Sequence, residues 1–446
     1  MRRVLVVAYY FPPSGGPGVQ RVLKMVRYLP QFGWEPVVLT VREGTFPARD
    51  ESLLAEIPPH IHVERTRILE PYTFYRRLTG TRQAIDVAVL TDRAETSWRQ
   101  RLAQFVRATF FIPDARVGWL FDAIPAGVRL VEQWEIEALY TSSPPYTGAL
   151  IGRALKRRTG RAWVMELRDP WTGFLTTPRR WWLPRRIDRH LERSCLEQAD
   201  RVVAAWEGII SDARAKYPAL PPEKFITIPN GFDAADYPTT TATATTTEPQ
   251  RTGALTITYT GSLYGLRNPD VLIAALEQLI AEGTIPPARV RLRFVGRVGE
   301  DVLATLARSS LWTQTEVVPY VPHAESLRYV LESDVALLVV DRSTDSAQIV
   351  PGKVFEYLGA GKPILALAPH GSAIEALLAE TGAGVVCADA TECAAVLTGW
   401  YRQWESGQRL VTPNQEAIAR YERRTAASTL AAVLDAATRS APRSTA

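Results

Sequence analysis

Short apolar runs alternate with amphipathic stretches along almost the whole chain, and this constrains the fold more than any other feature. Val4–Tyr9 reads as a strand, Val19–Phe32 as a helix and Pro36–Thr40 as a second strand. Ala138–Thr141, Ala162–Met165, Arg201–Ala205 and Phe225–Ile228 read as later strands, with helices at Ala149–Thr159 and Arg185–Ala199. Such alternation predicts an α/β fold: a parallel sheet with helices on both faces. The Thr/Ala-rich stretch 239–252 then breaks the pattern as a linker or long surface loop. Strands resume at Leu255–Tyr259, Val290–Val295, Thr315–Val318, Val335–Val340, Ile364–Ala366 and Gly384–Val386, with helices at Pro269–Glu282, Lys353–Leu358 and Ile374–Glu380. Asn414–Thr438 reads as a final amphipathic helix. The expected organisation is an N-terminal α/β domain over 1–238, a linker or loop over 239–253 and a second α/β domain over 254–412. A helix over 413–438, able to pack back on the first domain, and a frayed tail over 439–446 complete it.

At 446 residues the chain has room for two or three domains of about 100–200 residues each. A hydrophobic share of 46% argues against wholesale disorder. No run of 18 apolar residues exists, which argues against a spanning helix. Val4–Phe11 follows Arg2-Arg3 and mimics a signal peptide, but it is short and runs straight into Pro12-Pro13, so a first buried strand is the better reading. Three cysteines (Cys195, Cys387, Cys393) cannot build a disulfide framework, and a reducing cytoplasm is expected. The net charge of +5 is almost all arginine, since only six lysines occur, and 12 tryptophans accompany it. Two readings stay open: anionic partners, which arginine and tryptophan suit, or genome composition.

Ligands of open parallel sheets bind beyond the carboxyl ends of the strands, so the strand-end loops are where function is expected. After the first strand comes Phe11-Pro12-Pro13-Ser14-Gly15-Gly16-Pro17-Gly18, ahead of a helix. It is either a backbone cradle for an anion or a tight turn. It is not G-x-G-x-x-G, and the second strand ends without the ribose-binding acid of NAD folds. Ser142-Ser143-Pro144-Pro145-Tyr146 and Glu166-Leu167-Arg168-Asp169-Pro170-Trp171 follow later strands. Arg168-Asp169 is either a structural pair or part of the cleft. In the second half, Gly261, Ser262 and Arg267 precede a helix in a pattern that suits a diphosphate. Gly352 and Lys353 open another helix. Glu356, at i+3 from Lys353, is either a helix salt-bridge partner or an acceptor for paired sugar hydroxyls. His60-x-His62 looks like a metal pair but reads better as a surface loop before a strand.

Together these residues resemble a GT-B glycosyltransferase of the family 4 type, over nearly the whole chain. The resemblance is carried by FPPSGGPG (11–18), IPDARVGW (112–119), YTSSPPY (140–146), MELRDPW (165–171), IPNGFD (228–233), YTGSLYGLRNP (259–269) and QIVPGKVFEYLGAGKPILA (348–366). It implies two facing Rossmann-like domains with a deep interdomain cleft. The implied activity is retaining transfer of a hexosyl unit from a nucleotide-sugar, a UDP-sugar first, to a glycan or lipid-linked acceptor. The longer N-terminal motifs look like the branch that builds bacterial surface polysaccharides. In the family's Glu-x7-Glu signature, the second position is Glu356, implied to hold the donor ribose, and the first is Gln348, where glutamine keeps hydrogen bonding but not charge. The family's diphosphate-binding Arg and Lys are Ser262 and Arg267 here, so Lys353 is expected to supply the lost cation. The backbone near Val318-Pro319-Tyr320-Val321 is implied to read the base.

The donor side is therefore expected to include Gly16, Gly261, Ser262, Arg267, Gly352, Lys353 and Glu356. Gly15, Arg168 and Ser142 are expected on the acceptor side, and Asp169, Ser143 and Gln348 at the chemistry. No Asp-x-Asp occurs, so no metal and no other cofactor is expected, and arginine, lysine and helix dipoles are to stabilise the leaving diphosphate. Retention in this fold is usually attributed to front-face attack with the leaving phosphate taking the acceptor proton, so no covalent carboxylate nucleophile is expected. Among His60, His62, His190, His323 and His370, none stands out as the histidine many family members carry near the acceptor. Arg179-Arg180-Trp181-Trp182-Leu183-Pro184-Arg185-Arg186, with the Trp98–Phe121 stretch (Arg99, Arg101, Arg107, Phe110, Phe111, Trp119), reads as an interfacial surface for the inner leaflet or as a packing face. The alternatives are a non-catalytic or partner-dependent nucleotide-sugar-binding protein, and a sugar-nucleotide epimerase or phosphorylase. A nucleic-acid binder is disfavoured for want of any reader motif.

Overall fold

The computed structural model describes residues 1–46, 49–69, 105, 108–173, 180–237, 253–341 and 350–440. The chain forms two compact units: Met1–Asn230 with Arg423–Ala446, and Gly231–Glu422.

The first unit is built on strands β1 (Arg2–Val7), β2 (Trp34–Val41), β3 (His62–Thr66), β4 (Ala138–Ser143), β5 (Ala162–Leu167), β6 (Arg201–Ala204) and β7 (Phe225–Thr227). They pair in parallel in the order β3-β2-β1-β4-β5-β6-β7. Helices α1 (Pro17–Tyr28), α2 (Leu120–Gln133), α3 (Thr147–Thr159), α4 (Trp182–Gln198) and α5 (Glu207–Lys216) make crossovers among the described residues. A strand covered on both faces reads as a near-continuous apolar run. In β1, Leu5 and Val7 join the core under α2 and α3, while Val4 and Val6 join the core under α1. In β5, Trp163 and Met165 face the first core, and Val164 the second. Glu166 therefore points to the α1 side with a charge.

The second unit repeats the plan. Strands β8 (Leu255–Thr260), β9 (Val290–Val295), β10 (Thr315–Val318), β11 (Val335–Val339), β12 (Ile364–Leu367) and β13 (Gly384–Cys387) are parallel in the order β10-β9-β8-β11-β12-β13. Helices α6 (Asp270–Ala281), α7 (Glu300–Arg308), α8 (His323–Leu331), α9 (Lys353–Gly359), α10 (Ala373–Thr381), α11 (Ala390–Glu405) and α12 (Gln415–Ala419) flank it. One core gathers α6 and α11 on one face, and the other gathers α9 and α10. The last helix, α13 (Arg423–Ser440), belongs to the first unit, where Leu430 and Leu434 are fully buried beside α1.

Two expectations need correcting. The division falls at Gly231, not at 239–253, most of which lies outside the described residues. Phe232 packs on the α9 core and the Tyr237 hydroxyl donates to the Glu356 carbonyl at 2.9 Å, so residues 231–237 belong to the second unit. The single helix expected over 413–438 is broken. Tyr421 offers its carbonyl to Phe232 N at 3.0 Å, and the chain passes there from a core containing Ile418 to one containing Ala427. One amphipathic stripe served two cores, so periodicity alone could not show the break. The tail 441–446 lies outside the described residues.

Candidate functional site

At the carboxyl edge of the second sheet, three loops are laced together. Beyond β8, Gly261 N donates to Val295 O at 2.8 Å and Leu263 N to Arg297 O at 2.9 Å. Gly261 and Gly296 stand at φ 114° and 128°, and a Cβ on Gly296 would lie 2.2 Å from the Gly261 carbonyl oxygen. Only glycine permits both the dihedral and that approach. A Cβ on Gly261 would lie 2.6 Å from the Lys353 ammonium, so the missing side chain is what admits the cation.

Lys353 opens α9. Its Nζ donates to the Tyr259 hydroxyl at 2.5 Å and to the Thr260 carbonyl at 2.7 Å, and lies 3.9 Å from the Tyr259 ring centroid. Tyr259 donates in turn to the Ser262 carbonyl at 2.9 Å. Burial pushes the Lys353 pKa down to about 7, with Arg267 adding to the fall and Glu356 opposing it. Arg267 keeps a buried Nε with no hydrogen-bond partner, its guanidinium 5.8 Å from the Tyr264 ring centroid. Neither cation forms an ion pair with a carboxylate among the described residues. The helical Lys353–Glu356 salt bridge left open by the sequence is thus not formed. Gly352 caps a helix of only seven residues, so the charge of Lys353 matters more here than any helix dipole.

Glu356 has a neighbour the sequence reading passed over. His323, the first residue of α8, places Nδ1 3.8 Å from Glu356 Oε1 and Nε2 4.0 Å from Asp236 Oδ2. Its position just beyond β10 was the available signal. Gln348 lies outside the described residues.

The carboxyl edge of the first sheet is wired differently. Gly15 is buried, and Gly16 is exposed at the start of α1. Arg168 donates to the carbonyls of Gly18 (2.6 Å), Ser143 (3.3 Å) and Pro144, tying the loops after β1 and β4 together. Its donors are engaged by backbone. Ser142 is engaged too. It is 3% exposed and donates to Glu166 at 2.6 Å. Glu166 pairs with Arg21 at 2.9 Å, both side chains being almost fully buried, and Arg21 reaches the Ile228 and Pro229 carbonyls at 2.8 Å. Desolvation alone would raise the Glu166 pKa, but Arg21 and the Ser142 hydroxyl outweigh it and the pKa falls. Ser143 is fully buried, with no partner for its hydroxyl. Asp169 is half-buried. Burial raises its pKa, Arg168 opposes the rise, and its carboxylate accepts no hydrogen bond among the described residues.

The remaining motifs are scaffolding. Asp114 accepts from Thr147 N (2.9 Å) and Oγ1 (2.7 Å), capping α3. Tyr146 stacks on Trp171 at 4.8 Å, and Trp171 donates to Asp188 at 2.9 Å. Arg180 pairs with Asp188 at 3.1 Å with its side chain only 3% exposed, and donates to the Phe111 and Pro113 carbonyls. Burial pushes Asp188 up to about 6. Arg180 and the fully buried Trp119 therefore leave the expected interfacial surface. Trp181, Trp182, Leu183 and Phe110 remain exposed, with Trp182 at 68%, beside exposed Arg185 and Arg186. Trp98, Arg99, Arg101, Arg107 and Arg179 lie outside the described residues. No cluster that could hold a metal occurs among the described residues. His62 lies in β3 and packs on Trp134.

The Glycosyltransferase Family 4 model matches residues 80–236. No curated protein matches the chain by sequence. Among solved structures, Anabaena HepE in complex with UDP is 16% identical, with 98% of this chain and 100% of that one covered at a TM-score of 0.60. Sucrose-phosphate synthase from Thermosynechococcus elongatus is 14% identical over 98% and 99%, TM-score 0.62. The lipopolysaccharide outer core galactosyltransferase WaaB is 12% identical over 97% and 99%, TM-score 0.53. These likenesses establish a shared GT-B fold.

Proposed function

We propose that this GT-B chain of the family 4 glycosyltransferase type transfers a hexosyl unit from a nucleoside-diphosphate sugar, a UDP-sugar first, to a glycan or lipid-linked acceptor. The observation that carries the reading is the pair Lys353 and Arg267 beyond β8, two cations that form no ion pair with a carboxylate among the described residues. Burying a cation unpaired is costly, and a bound diphosphate offsets that cost. HepE structures in complex with UDP and with UDP-glucose support the choice of donor.

In this reading Lys353 and Arg267 hold the diphosphate and Glu356 the ribose hydroxyls. The bond from the sugar C1 to the diphosphate oxygen breaks through an oxocarbenium-like state. The acceptor oxygen bonds C1 on the same face, so configuration is retained, and its proton passes to the departing diphosphate. Asp169 and Ser143 orient the acceptor, Gln348 contacts the transferred sugar, and cations stabilise the leaving group without a metal. The setting is bacterial surface polysaccharide synthesis at the inner face of the plasma membrane. Exposed Trp181, Trp182 and Phe110 beside Arg185 and Arg186 support peripheral docking. No helix among the described residues is long and apolar enough to cross a membrane.

Melting the protein with UDP, GDP and dTDP tests the donor site: at 100 times Kd a ligand adds about 2.7 kcal/mol. A rise with one diphosphate is expected, and no rise with any of the three overturns the assignment. A partner-dependent or non-catalytic binder is the second reading, favoured by glutamine at position 348. Transfer or donor hydrolysis by the purified chain, undiminished by EDTA, excludes it.

A further inference from the structure

We infer that His323 is a positioning residue that sets the Glu356 carboxylate for the ribose hydroxyls of the donor, with Asp236 steadying the far side of its ring. The inference rests on the reading of Glu356 as the ribose-binding residue.

Three separate pieces of chain meet here: the start of α8 brings His323, α9 brings Glu356, and the segment entering the unit brings Asp236. The imidazole faces a carboxylate at each nitrogen, 3.8 Å to Glu356 through Nδ1 and 4.0 Å to Asp236 through Nε2. The three side chains are 20–28% exposed, open enough to meet a ligand. Pairs this exposed add little to stability, so folding alone does not explain the convergence. Hydrogen bonds of catalytic sites are often long before substrate binds and tighten in the complex.

The chemistry explains what such a neighbour does. A vicinal diol is gripped by a carboxylate only when both oxygens lie in its plane, and a glutamate side chain has three torsions to fix. Tyr237 already fixes the main chain of Glu356 by donating to its carbonyl at 2.9 Å. Drawn in from 3.8 Å, an N–H donated from His323 Nδ1 to Oε1 would fix the other end and leave Oε2 and the second lone pair of Oε1 for the hydroxyls. Asp236, beside the opposite nitrogen at 4.0 Å, limits how far the ring can turn away.

The full-length protein is titrated calorimetrically with UDP, 2′-deoxy-UDP and 3′-deoxy-UDP, and the readout is the ratio of affinities. The wild type is expected to prefer UDP over the weaker deoxy analogue by about tenfold or more, the value of one hydrogen bond to a charged group. His323→Phe is expected to lower that ratio severalfold, while His323→Asn, which keeps an N–H near the place of Nδ1, retains most of it. Simple loosening of the site would weaken all three ligands alike and leave the ratio unchanged. His323→Phe with the wild-type ratio therefore overturns the inference, and if Glu356→Gln collapses the ratio in the same experiment, the donor reading still stands. A wild-type ratio in Glu356→Gln removes the ribose role itself, and the inference with it.

Discussion

The two sheets share a plan and place their polar clusters at the same edge, yet they treat their cations in opposite ways. In the first unit, Arg21 is locked to Glu166 and the backbone of 228–229, Arg180 to Asp188, and Arg168 to three carbonyls. In the second, among the described residues, Lys353 donates to a phenol and a carbonyl, and Arg267 keeps an unpartnered Nε. A buried cation with its counter-charge in place has little left for a ligand, whereas one without a counter-charge gains by meeting an anion. The contrast teaches which arginines and lysines of a basic chain are available for recognition.

The comparison breaks most directly at Arg21. Arg21→Ala leaves Glu166 charged and alone in the interior, so a loss of about 3–5 kcal/mol is expected in denaturant unfolding. A loss under about 1 kcal/mol would show that the pair is not structural. Lys353→Met should do the reverse: UDP affinity falls about tenfold or more, while the unliganded protein unfolds at the same denaturant concentration or a higher one. Destabilisation as deep as that of Arg21→Ala would move Lys353 into the structural class.

A pH series sharpens the same point. Lys353 is held near 7 in the folded chain, below its unfolded value of about 10.4. Between those values the unfolded chain binds the extra proton, so this residue makes stability rise with pH from about 7 to about 10, and the penalty is fully present below 7. Subtracting the Lys353→Met profile from the wild-type profile isolates the slope, and parallel profiles would contradict the assigned burial. The smallest expected effect is that of Trp182→Ala. At 68% exposure it should change stability by no more than about 0.5 kcal/mol while reducing sedimentation with anionic phosphatidylglycerol vesicles. Unchanged vesicle binding would leave Trp182 as ordinary surface.

Much of the fold was legible. A strand buried on both faces reads as a short, apolar-rich run, so β1, β4, β5, β8 and β11 announced themselves to within a few residues, and β9 did so by alternating apolar residues with arginine. α2 was passed over because Pro125 stands inside it as a breaker signal, although Ala123, Ala126, Leu130 and Val131 form its buried stripe. At the candidate site, Gly261 and Arg267 lie in the loop after β8, and Lys353 and Glu356 in the first turn of α9. Ser142 and Arg168 look the same in sequence as residues awaiting a ligand, and only their partners, 24 positions from Ser142 and 150 positions from Arg168, show that they are engaged. His323 was invisible for the same reason: its meaning lies in Glu356, 33 residues on, and Asp236, 87 residues back.

The sequence by itself determined the parallel α/β plan, its repetition and the strand-end loops of the candidate site, because hydrophobic period and glycine placement act over a few residues. Tertiary structure alone decided where the chain divides, that 413–438 serves two cores, and which polar side chains remain open to a ligand. Those outcomes depend on burial and charge pairing between residues far apart in the chain, and no local pattern encodes them.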